Sequence, residues 1–251
     1  MKVARFSNGA EPRYGIVDGP ELVVLKGHPL AVGFDTTGER IPLKEVKLLA
    51  PTIPSKVICI GKNFAEHAAE IGEDITIEPL IFFKPSSSII GHGDAIVLPP
   101  QSSQVELEAE LTVVIGKLAK NVSEKDALDY VFGYTIANDV TARDLQFTDG
   151  QWARSKAFDT FCPLGPWIET EFLPEEQVVE SRINGEVKQH SSITKMTHNI
   201  RTIVSHTSKN MTLLPGDIIL TGSPAGISVI SSGDLVECEV EGIGTLANTV
   251  A

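Results

Sequence analysis

The chain has 251 residues, a length typical of one large domain or of a large domain with a small appendage. Its formal net charge of −12 at pH 7 argues against nucleic acid and anionic membrane surfaces as partners. No apolar run is long enough to cross a bilayer, the first residues do not resemble a signal peptide, and the three cysteines have neither disulfide nor zinc-ligand spacing, which together predict a cytoplasmic protein.

Two regions are predicted from the pattern of strands, glycines and prolines. Residues 1–52 contain short β-like segments broken by glycine and proline, which predicts a small N-terminal β-rich unit. Residues 53–251 form a larger second region that begins with a short buried strand, VICI, followed by a short helix in NFAEHAAEIG. We expect Asn63 to cap this helix, Glu66 to occupy the capping-box position, and Gly72 to end the helix.

Strands outnumber helices in the rest of the chain. Apolar or alternating segments predict strands at PLIFF, AIVLP, ELEAELTVVIG, VFGYTIAND, WIE, VVESRING, DIILTG and LVECEVEGIG. Short helices are predicted after Ser123 and over residues 199–208. Because the strands do not alternate regularly with helices, the pattern predicts a β-dominated α+β fold with antiparallel or mixed sheets.

One predicted strand, VELEAELTVVIG, carries glutamates at every second position, namely Glu106, Glu108 and Glu110. The alternate positions are apolar, so this period of two predicts a strand with one packed face. Neighbouring carboxylates are unfavourable unless positive charge lies among them. The residues alone leave two interpretations open, a solvated acidic face or a divalent-metal site. Asp139 is a third candidate ligand, although it could equally cap the turn that follows its strand.

The common nucleotide-binding and hydrolase signatures are missing from the sequence. It contains no G-x-x-x-x-G-K-[ST], no G-x-G-x-x-G after a strand, no G-x-S-x-G and no H-E-x-x-H. Any chemistry must therefore come from carboxylates, lysines and a few histidines.

Six segments between Pro54 and the C-terminus, GKNFAEHAAEIG, FFKPSSS, ELEAELTVVIG, NDVTARDLQ, ARSKAFDTFCPLGPW and LLPGDIILTGSPAGI, resemble the fumarylacetoacetate hydrolase family in sequence and in order. The most similar branch acts on small 2-oxo acids and includes acylpyruvate hydrolases, oxaloacetate decarboxylases and 2-hydroxyhepta-2,4-diene-1,7-dioate isomerases. The resemblance implies a mixed, β-roll-like fold with a small N-terminal β unit, and it makes residues 53–251 the catalytic, metal-binding domain. It also implies a homodimer.

The resemblance places the metal ligands at Glu108, Glu110 and Asp139 and leaves Glu106 as a solvated neighbour. The ion implied is Mg²⁺ or Mn²⁺, and the substrate is a 2-oxo acid that chelates it through a carboxylate and a keto oxygen. Such an ion stabilises an enolate, so we expect cleavage or decarboxylation of a small 2-oxo acid. Isomerisation or tautomerisation of a hydroxydienedioate is the alternative reaction, and a non-catalytic binding module is a third interpretation.

Three catalytic residues are implied by the same resemblance: His67, Glu70 and Lys156. His67 and Glu70 lie three apart on a short helix and would form a lid pair, in which His67 takes a proton from water and Glu70 orients the imidazole. A surface ion pair is the alternative, and both interpretations predict an exposed helix. Lys156 would stabilise a carboxylate or a developing oxyanion, although an exposed salt-bridging lysine is the alternative.

Four further positions match substrate-binding residues of the family: Lys84, Arg143, Gln146 and Ser223. Lys84 could instead snorkel from an apolar stem, and Arg143 could pair with Asp144 or Asp149. Ser223 could belong to a plain turn, and the neighbouring Thr221 is interpreted as structural.

Two aromatic residues complete the sequence-based expectations. Phe64 stands where many members of the family have tyrosine, so a hydroxyl near the lid is lost. Trp152 is interpreted as a core or interface aromatic.

Overall fold

The computed structural model describes residues 1–251. Its strands, numbered β1 to β20 in chain order, span Lys2–Ser7, Arg13–Asp18, Glu21–Leu25, Thr36–Pro42, Lys47–Leu49, Val57–Gly61, Leu80–Lys84, Ile89–Ile90, Ala95–Ile96, Val105–Leu107, Ala109–Ile115, Val131–Asn138, Thr141–Ala142, Cys162–Glu169, Val178–Ile183, Glu186–Ser192, Ile218–Leu220, Ser228–Val229, Leu235–Val240 and Gly244–Val250. Its α-helices, α1 to α5, span Pro29–Val32, Ala65–Glu70, Arg143–Asp149, Ala153–Lys156 and Ile200–Asn210. Short 3₁₀ helices lie at Leu43–Glu45, Ser86–Ser88, Ala127–Tyr130 and Ile193–Lys195.

The strands form three sheets. A twelve-stranded sheet follows the order β4-β3-β2-β1-β14-β12-β11-β17-β6-β7, with β5 paired to β1 and β8 paired to β14. A three-stranded sheet has the order β13-β10-β18, and a five-stranded sheet has the order β16-β15-β19-β20-β9. Most neighbours are antiparallel, but three pairs are parallel: β17 with β6, β14 with β8, and β20 with β9. The mixed, strand-dominated α+β fold confirms the predicted fold class.

The N-terminal segment supplies β1 to β5 and extends the large sheet. Strand β1 pairs with β14 in the register Val3↔Ile168, so the segment is joined to the rest of the chain by backbone hydrogen bonds. It also has a small core of its own, made of Ala4, Phe6, Leu22, Val24 and Ile41. The boundary between residues 1–52 and 53–251 stays a prediction.

The main core lies between the large sheet and the five-stranded sheet. Leu111 and Val113 on β11 are fully buried in this core, together with Val240 on β19 and Ile203 on α5. Side chains alternate along a strand, so the same packing that buries Leu111 directs Glu110 to the opposite face of β11. The apolar face of the acidic strand thus fixes the direction of its carboxylates.

Helix α2 begins differently from the sequence-based prediction. Its N-cap is Phe64, with no side-chain cap, and Asn63 lies outside the helix. The amide of Asn63 donates to the carbonyl oxygens of His198 and Thr221, at 3.0 and 2.7 Å, and these distant partners replace the predicted cap. Gly72 follows the helix with φ +73°, the left-handed conformation that ends a helix, as predicted.

The two other predicted helices had different outcomes. Helix α5 begins after Asn199, whose side-chain oxygen accepts from the backbone N–H of Thr202, which confirms the prediction for residues 199–208. The prediction after Ser123 was wrong as to type, because that segment forms only the 3₁₀ helix Ala127–Tyr130. None of the helices has the length and apolar character that a bilayer-crossing segment requires.

Candidate active site

Three carboxylates meet where β11 and β12 run side by side. Glu110 lies on β11, Glu108 lies in the break between β10 and β11, and Asp139 follows the last residue of β12. The register Ala109↔Asn138 sets Asp139 beside Glu108, and the backbone N–H of Asp139 donates to the carbonyl of Glu108 at 2.8 Å. One oxygen from each carboxylate lies within 4.8 Å of the others, and all three side chains are buried.

Two lysines neutralise this group from the side of Asp139. The Lys156 ammonium donates to Glu108 at 2.9 Å and to Asp139 at 2.7 Å. The Lys84 ammonium donates to the other oxygen of Asp139 at 2.6 Å and to the carbonyl of Val140 at 3.0 Å. Neither lysine is exposed, so Lys84 does not snorkel and Lys156 is not a surface ion-pair partner. Lys84 lies behind Asp139, away from the cavity wall.

Arg143, the first residue of α3, forms ion pairs with two glutamates of the acidic segment, Glu106 and Glu108. Its Nε donates to Glu106 at 2.7 Å, and its two terminal nitrogens donate to Glu108 and Gln146. Glu106 is only 6% exposed, so the expectation that it is solvated was wrong. The physical reason is the ion pair with Arg143, which compensates the buried negative charge of Glu106.

The alternative partners of Arg143 are engaged elsewhere. Asp144 accepts from the hydroxyl of Ser102 at 2.6 Å and from the backbone N–H of Ser103 at 2.8 Å. Asp149 accepts from Arg154 at 2.7 Å. Arg143 is therefore part of the acidic cluster rather than of a separate structural pair.

The carboxylates of the cluster differ in their electrostatic balance. Burial favours the neutral form of Glu108, but Lys156 and Arg143 outweigh burial and lower its pKa well below the ordinary value. Burial, reinforced by Asp139 and Glu108, raises the pKa of Glu110 well above its ordinary value. The hydrogen bond that Glu110 accepts comes from the backbone N–H of Gly222 at 2.6 Å, and no lysine or arginine pairs with it.

This imbalance fits a divalent cation. Mg²⁺ and Mn²⁺ prefer oxygen ligands, and the three carboxylates offer oxygens at a mutual separation that one ion can bridge. A cation beside Glu110 would supply the positive charge that the side chains around it do not. The buried carboxylate without a cationic partner is thus the feature that favours metal binding.

Helix α2 closes over the cluster. His67 is 6% exposed and lines the cavity, so on this face the helix is not exposed, contrary to the sequence-based expectation. Its Nδ1 lies 3.4 Å from the carboxylate of Glu70. Glu70 also accepts from the backbone N–H of Gly226 at 3.1 Å, which fastens the helix to the turn after β17.

That turn needs glycine and presents a hydroxyl. Gly222 has φ +103°, and a Cβ added there would lie 2.7 Å from the Cβ of Asn63. Ser223, the next residue, lines the cavity. The hydroxyl of Thr221 donates to the carbonyl of Leu111 at 2.8 Å, in keeping with its interpretation as a structural residue.

The cavity opens to solvent and holds about 310 Å³ of space free of protein atoms, the solvent at its mouth included; it is lined by Ile60, Gly61, Lys62, His67, Ile71, Phe82, Glu108, Glu110, Asp139, Arg143, Gln146, Trp152, Lys156 and Ser223. Eight of the ten site residues predicted from the sequence thus line one cavity, and the other two lie directly behind it, Glu70 beside His67 and Lys84 beside Asp139.

Several wall residues were missed by sequence reasoning. Trp152 is a wall of the cavity, and Phe82 on β7 packs against it with ring centroids 5.1 Å apart. Lys62 has φ +57° in the turn before α2 and forms an ion pair with Glu73, beyond the helix. A basic residue directly before the lid in GKN is the one signal that could have pointed to Lys62, whereas the aromatic walls depend on tertiary packing.

Comparison with known proteins identifies the family. Residues 56–251 match the family model described as fumarylacetoacetate (FAA) hydrolase C-terminal. The chain belongs to the fumarylacetoacetate hydrolase family. Residues 1–51 match a second family model, described as Rv2993c-like, N-terminal.

Similar proteins within the fumarylacetoacetate hydrolase family carry the following names. Protein Rv2993c of Mycobacterium tuberculosis is 51% identical over 100% of this chain and 98% of its own length. Oxaloacetate tautomerase Fahd2a, mitochondrial, of Rattus norvegicus is 43% identical over 84% of this chain and 71% of its own length. A solved structure of 5-carboxymethyl-2-hydroxymuconate delta-isomerase from Mycobacterium smegmatis has a TM-score of 0.93, at 44% identity over 100% of this chain and 99% of that one.

These relatives agree with the motifs from which the small 2-oxo-acid branch was predicted. The family and the named relatives show that the chain is an enzyme of this branch. The buried carboxylate cluster could hold a metal ion at the centre of its cavity.

Proposed function

We propose that the chain interconverts the keto and enol forms of a small 2-oxo acid, in a reaction that depends on Mg²⁺ or Mn²⁺. The observation that carries this proposal is the buried trio Glu108, Glu110 and Asp139, in which Glu110 has no cationic side chain as a partner. Relatives named as an oxaloacetate tautomerase and as a delta-isomerase support the same type of chemistry.

The three carboxylates would hold the ion, with the remaining coordination positions open to the substrate and water. When bound, a divalent cation supplies Lewis-acid chemistry, because it lowers the energy of negative charge that develops on a keto oxygen. The carboxylates are held in place by side chains on three separate elements, Lys84 at the end of β7, Arg143 on α3 and Lys156 on α4.

In this proposal, Lys156 contacts the substrate directly. An ammonium group has three N–H donors, and two of these reach Glu108 and Asp139. The third is free to bind a carboxylate or oxyanion of the acid in the cavity that Lys156 lines. Its nitrogen also lies 5.0 Å from the ring centroid of Phe82, so its position is restrained by packing as well as by charge.

In this proposal, His67 moves the proton. With Glu70 accepting at Nδ1, the neutral imidazole carries its hydrogen on that nitrogen, and Nε2 is left as the base. Nε2 would take a proton from the carbon next to the keto group, which leaves an enolate and an imidazolium, and return of that proton to the enolate oxygen would give the enol; the reverse order gives the keto form. Glu70 itself is held by Gly226, so the orientation of the imidazole depends on the closed position of α2.

The cavity favours a small acid. The space free of protein atoms is only about 310 Å³ even with the open solvent at its mouth included, so a large ligand does not fit. Its walls carry Arg143, Lys156 and Lys62 beside the carboxylates, which suits an anionic substrate. We therefore propose a 2-oxo acid of the size of oxaloacetate.

A product analysis tests this function. Protein stripped of metal with EDTA should be inactive on oxaloacetate, and Mn²⁺ should restore conversion of the enol to the keto form, followed by ultraviolet absorbance. His67→Ala should reduce the rate by about 10²-fold or more, the contribution of a positioned acid–base group. His190→Ala is the matched control, because His190 is exposed and pairs with Glu180 outside the cavity. Full activity in EDTA, or none with either ion on any small 2-oxo acid, would refute the proposal.

Cleavage of a carbon–carbon bond is the second candidate, and the His67–Glu70 pair favours it because such a pair can also activate water. Pyruvate release from acetylpyruvate and from oxaloacetate would report hydrolysis and decarboxylation. Decarboxylation needs no water, so His67→Ala should impair acetylpyruvate hydrolysis far more than oxaloacetate decarboxylation. Equal losses would exclude this division of labour. The homodimer implied by the family resemblance stays a prediction, which sedimentation velocity would test.

A further inference from the structure

Gln189 on β16 connects three parts of the chain that surround the candidate site. Its side chain is fully buried, and its amide makes four hydrogen bonds. The oxygen accepts from the backbone N–H of Ala109 and from the hydroxyl of Ser181, both at 2.9 Å. The nitrogen donates to the hydroxyl of Ser223 at 2.7 Å and to the carbonyl of Pro224 at 2.6 Å.

The orientation of this amide is dictated by its partners. A backbone N–H can only donate, so the amide atom that faces Ala109 must be the oxygen. A carbonyl can only accept, so the atom that faces Pro224 must be the nitrogen. A flipped amide would set two donors against each other at one end and two acceptors at the other. The direction of the hydrogen bond to Ser223 follows, because the amide nitrogen has no lone pair to offer.

Ser223 must therefore accept from Gln189 and direct its own hydrogen elsewhere. The nearest acceptor for that hydrogen within the protein is the carbonyl of Pro224 at 3.5 Å, a long contact with an oxygen that Gln189 already occupies at 2.6 Å. Ser223 also lines the cavity. Its O–H is thus left as a donor toward a bound ligand.

We propose that Gln189 is a positioning residue that fixes Ser223 as a hydrogen-bond donor to an oxygen of the bound acid. Its other end is anchored on Ala109, between the candidate ligands Glu108 and Glu110, so the donor and the carboxylates share one rigid support. The inference rests on the proposed function, because it assigns Ser223 a partner on the substrate. It adds a residue that touches neither the substrate nor the metal.

A double-mutant cycle with oxalate, a dianion that chelates divalent cations as a 2-oxo acid does, tests this role. Gln189→Glu keeps the shape of the side chain and its acceptor for Ala109, but it presents an acceptor to Ser223, whose hydroxyl then turns to donate to the new carboxylate. Calorimetry in saturating Mg²⁺ should show oxalate binding about tenfold weaker, the loss of one charge-assisted hydrogen bond. Ser223→Ala should cause a similar loss, and Gln189→Glu should add no more than about twofold in the Ser223→Ala background.

The pattern of losses separates positioning from a structural role. If Gln189 only supports the fold, its substitution should weaken oxalate binding by the same factor with or without Ser223, and such additivity would overturn the proposal. No effect of Ser223→Ala alone would overturn it as well. Ser181→Ala is the matched control, because it removes a partner of the Gln189 oxygen and leaves the donor side intact. We expect it to change oxalate affinity by less than about twofold.

Two further measurements keep the result interpretable. If thermal unfolding shows that Gln189→Glu does not fold, the same cycle with Gln189→Met removes the donor without adding a charge, and the same non-additivity is expected. Binding of Mg²⁺ alone should be equal in all variants. A wild-type protein that binds Mg²⁺ but not oxalate would refute the proposed function and with it this inference, whereas normal oxalate binding with an additive cycle would refute the role of Gln189 alone.

Discussion

Replacing Glu110 by glutamine is expected to abolish divalent-cation binding without weakening the fold of the metal-free protein. Glutamine keeps the shape of the side chain and an oxygen that can accept from the backbone N–H of Gly222. It removes the negative charge that no lysine or arginine balances. Glu110 is both a proposed metal ligand and a carboxylate that is costly to bury without a metal. The Glu110→Gln variant can therefore be measured with and without Mg²⁺ to separate the two effects.

The metal-dependent effect can be estimated from mass action. At an Mg²⁺ concentration of about 100 times the dissociation constant, binding to the folded state adds about 2.7 kcal/mol to the free energy of unfolding. For a chain of this size, about 1 kcal/mol corresponds to roughly 2–4 °C in Tm. The wild-type Tm should therefore rise by about 5–10 °C on addition of Mg²⁺, and the Tm of the Glu110→Gln variant should not change.

The metal-free effect depends on the charges in the cluster, which contains four carboxylates and three cations: Glu106, Glu108, Glu110, Asp139, Lys84, Arg143 and Lys156. Burial, with Asp139 and Glu108, raises the folded-state pKa of Glu110 above that of the unfolded chain. A raised pKa gives stability that is present at low pH and is lost as the pH rises through the folded-state value. Over this range the free energy of unfolding falls by at most about 1.4 kcal/mol per pH unit. The Glu110→Gln variant has no carboxylate at this position, so its stability does not fall for this reason.

Urea unfolding of EDTA-treated protein between pH 5 and pH 9 provides the assay. The free energy of unfolding of the variant should equal that of the wild type at acid pH and exceed it at the alkaline end. The matched control is Glu106→Gln, because Glu106 has a cationic partner in Arg143. This control should destabilise the metal-free protein by about 1 kcal/mol and keep the Mg²⁺-induced rise in Tm. A wild-type Mg²⁺ response in Glu110→Gln would refute the ligand assignment, and a variant less stable than wild type at pH 9 would refute the charge argument.

Three further predictions concern the scaffold. Asp217→Ala should lower the free energy of unfolding by about 3–5 kcal/mol in urea titrations, because the buried carboxylate accepts from the backbone and the hydroxyl of Ser55 at 3.1 and 2.6 Å and pairs with a lysine. Burial raises the pKa of the Cys162 thiol to about 12, so this thiol should react slowly in the folded protein. After iodoacetamide treatment at pH 8, mass spectrometry should find Cys162 unmodified in the native protein and alkylated in urea. Rapid labelling of the native protein would contradict its burial. Gly226→Ala should reduce both turnover and Tm, because an added Cβ would lie 2.0 Å from the carbonyl oxygen of Lys188. Gly226 lies in the turn whose backbone N–H binds Glu70 of α2. Unchanged turnover would show that activity does not need this contact between the turn and α2.

The parts of the fold that depend on local patterns could be predicted from the sequence. The alternation around Glu110 gave the strand, its buried face and the direction of its carboxylates, because side chains on a strand alternate strictly. The cap at Asn199 and the glycine stop at Gly72 are likewise encoded within a few residues. The ordered family motifs then brought Asp139 and Lys156 to the same site.

The features that were missed depend on contacts between distant segments. Glu106 looked like a solvated residue because nothing in its own strand shows that Arg143 approaches from a helix 37 residues later. Asn63 has the sequence context of a helix cap, but the tertiary structure supplies partners 135 and 158 residues away. Gln189 carries no motif at all, and its relation to the site exists only because β16 reaches the first residue of β11 in the folded chain.

The three cations that surround the carboxylates have a consequence for how the enzyme matures. Lys84, Arg143 and Lys156 already offset most of the negative charge, so the chain can collapse around these acidic groups before any inorganic ion arrives. If the protein binds the proposed divalent cation, binding would then be a late and reversible step on an already folded chain. The identity of the bound cation would then depend on the free concentrations of the divalent cations available, and the same protein would work with different ions as those concentrations change.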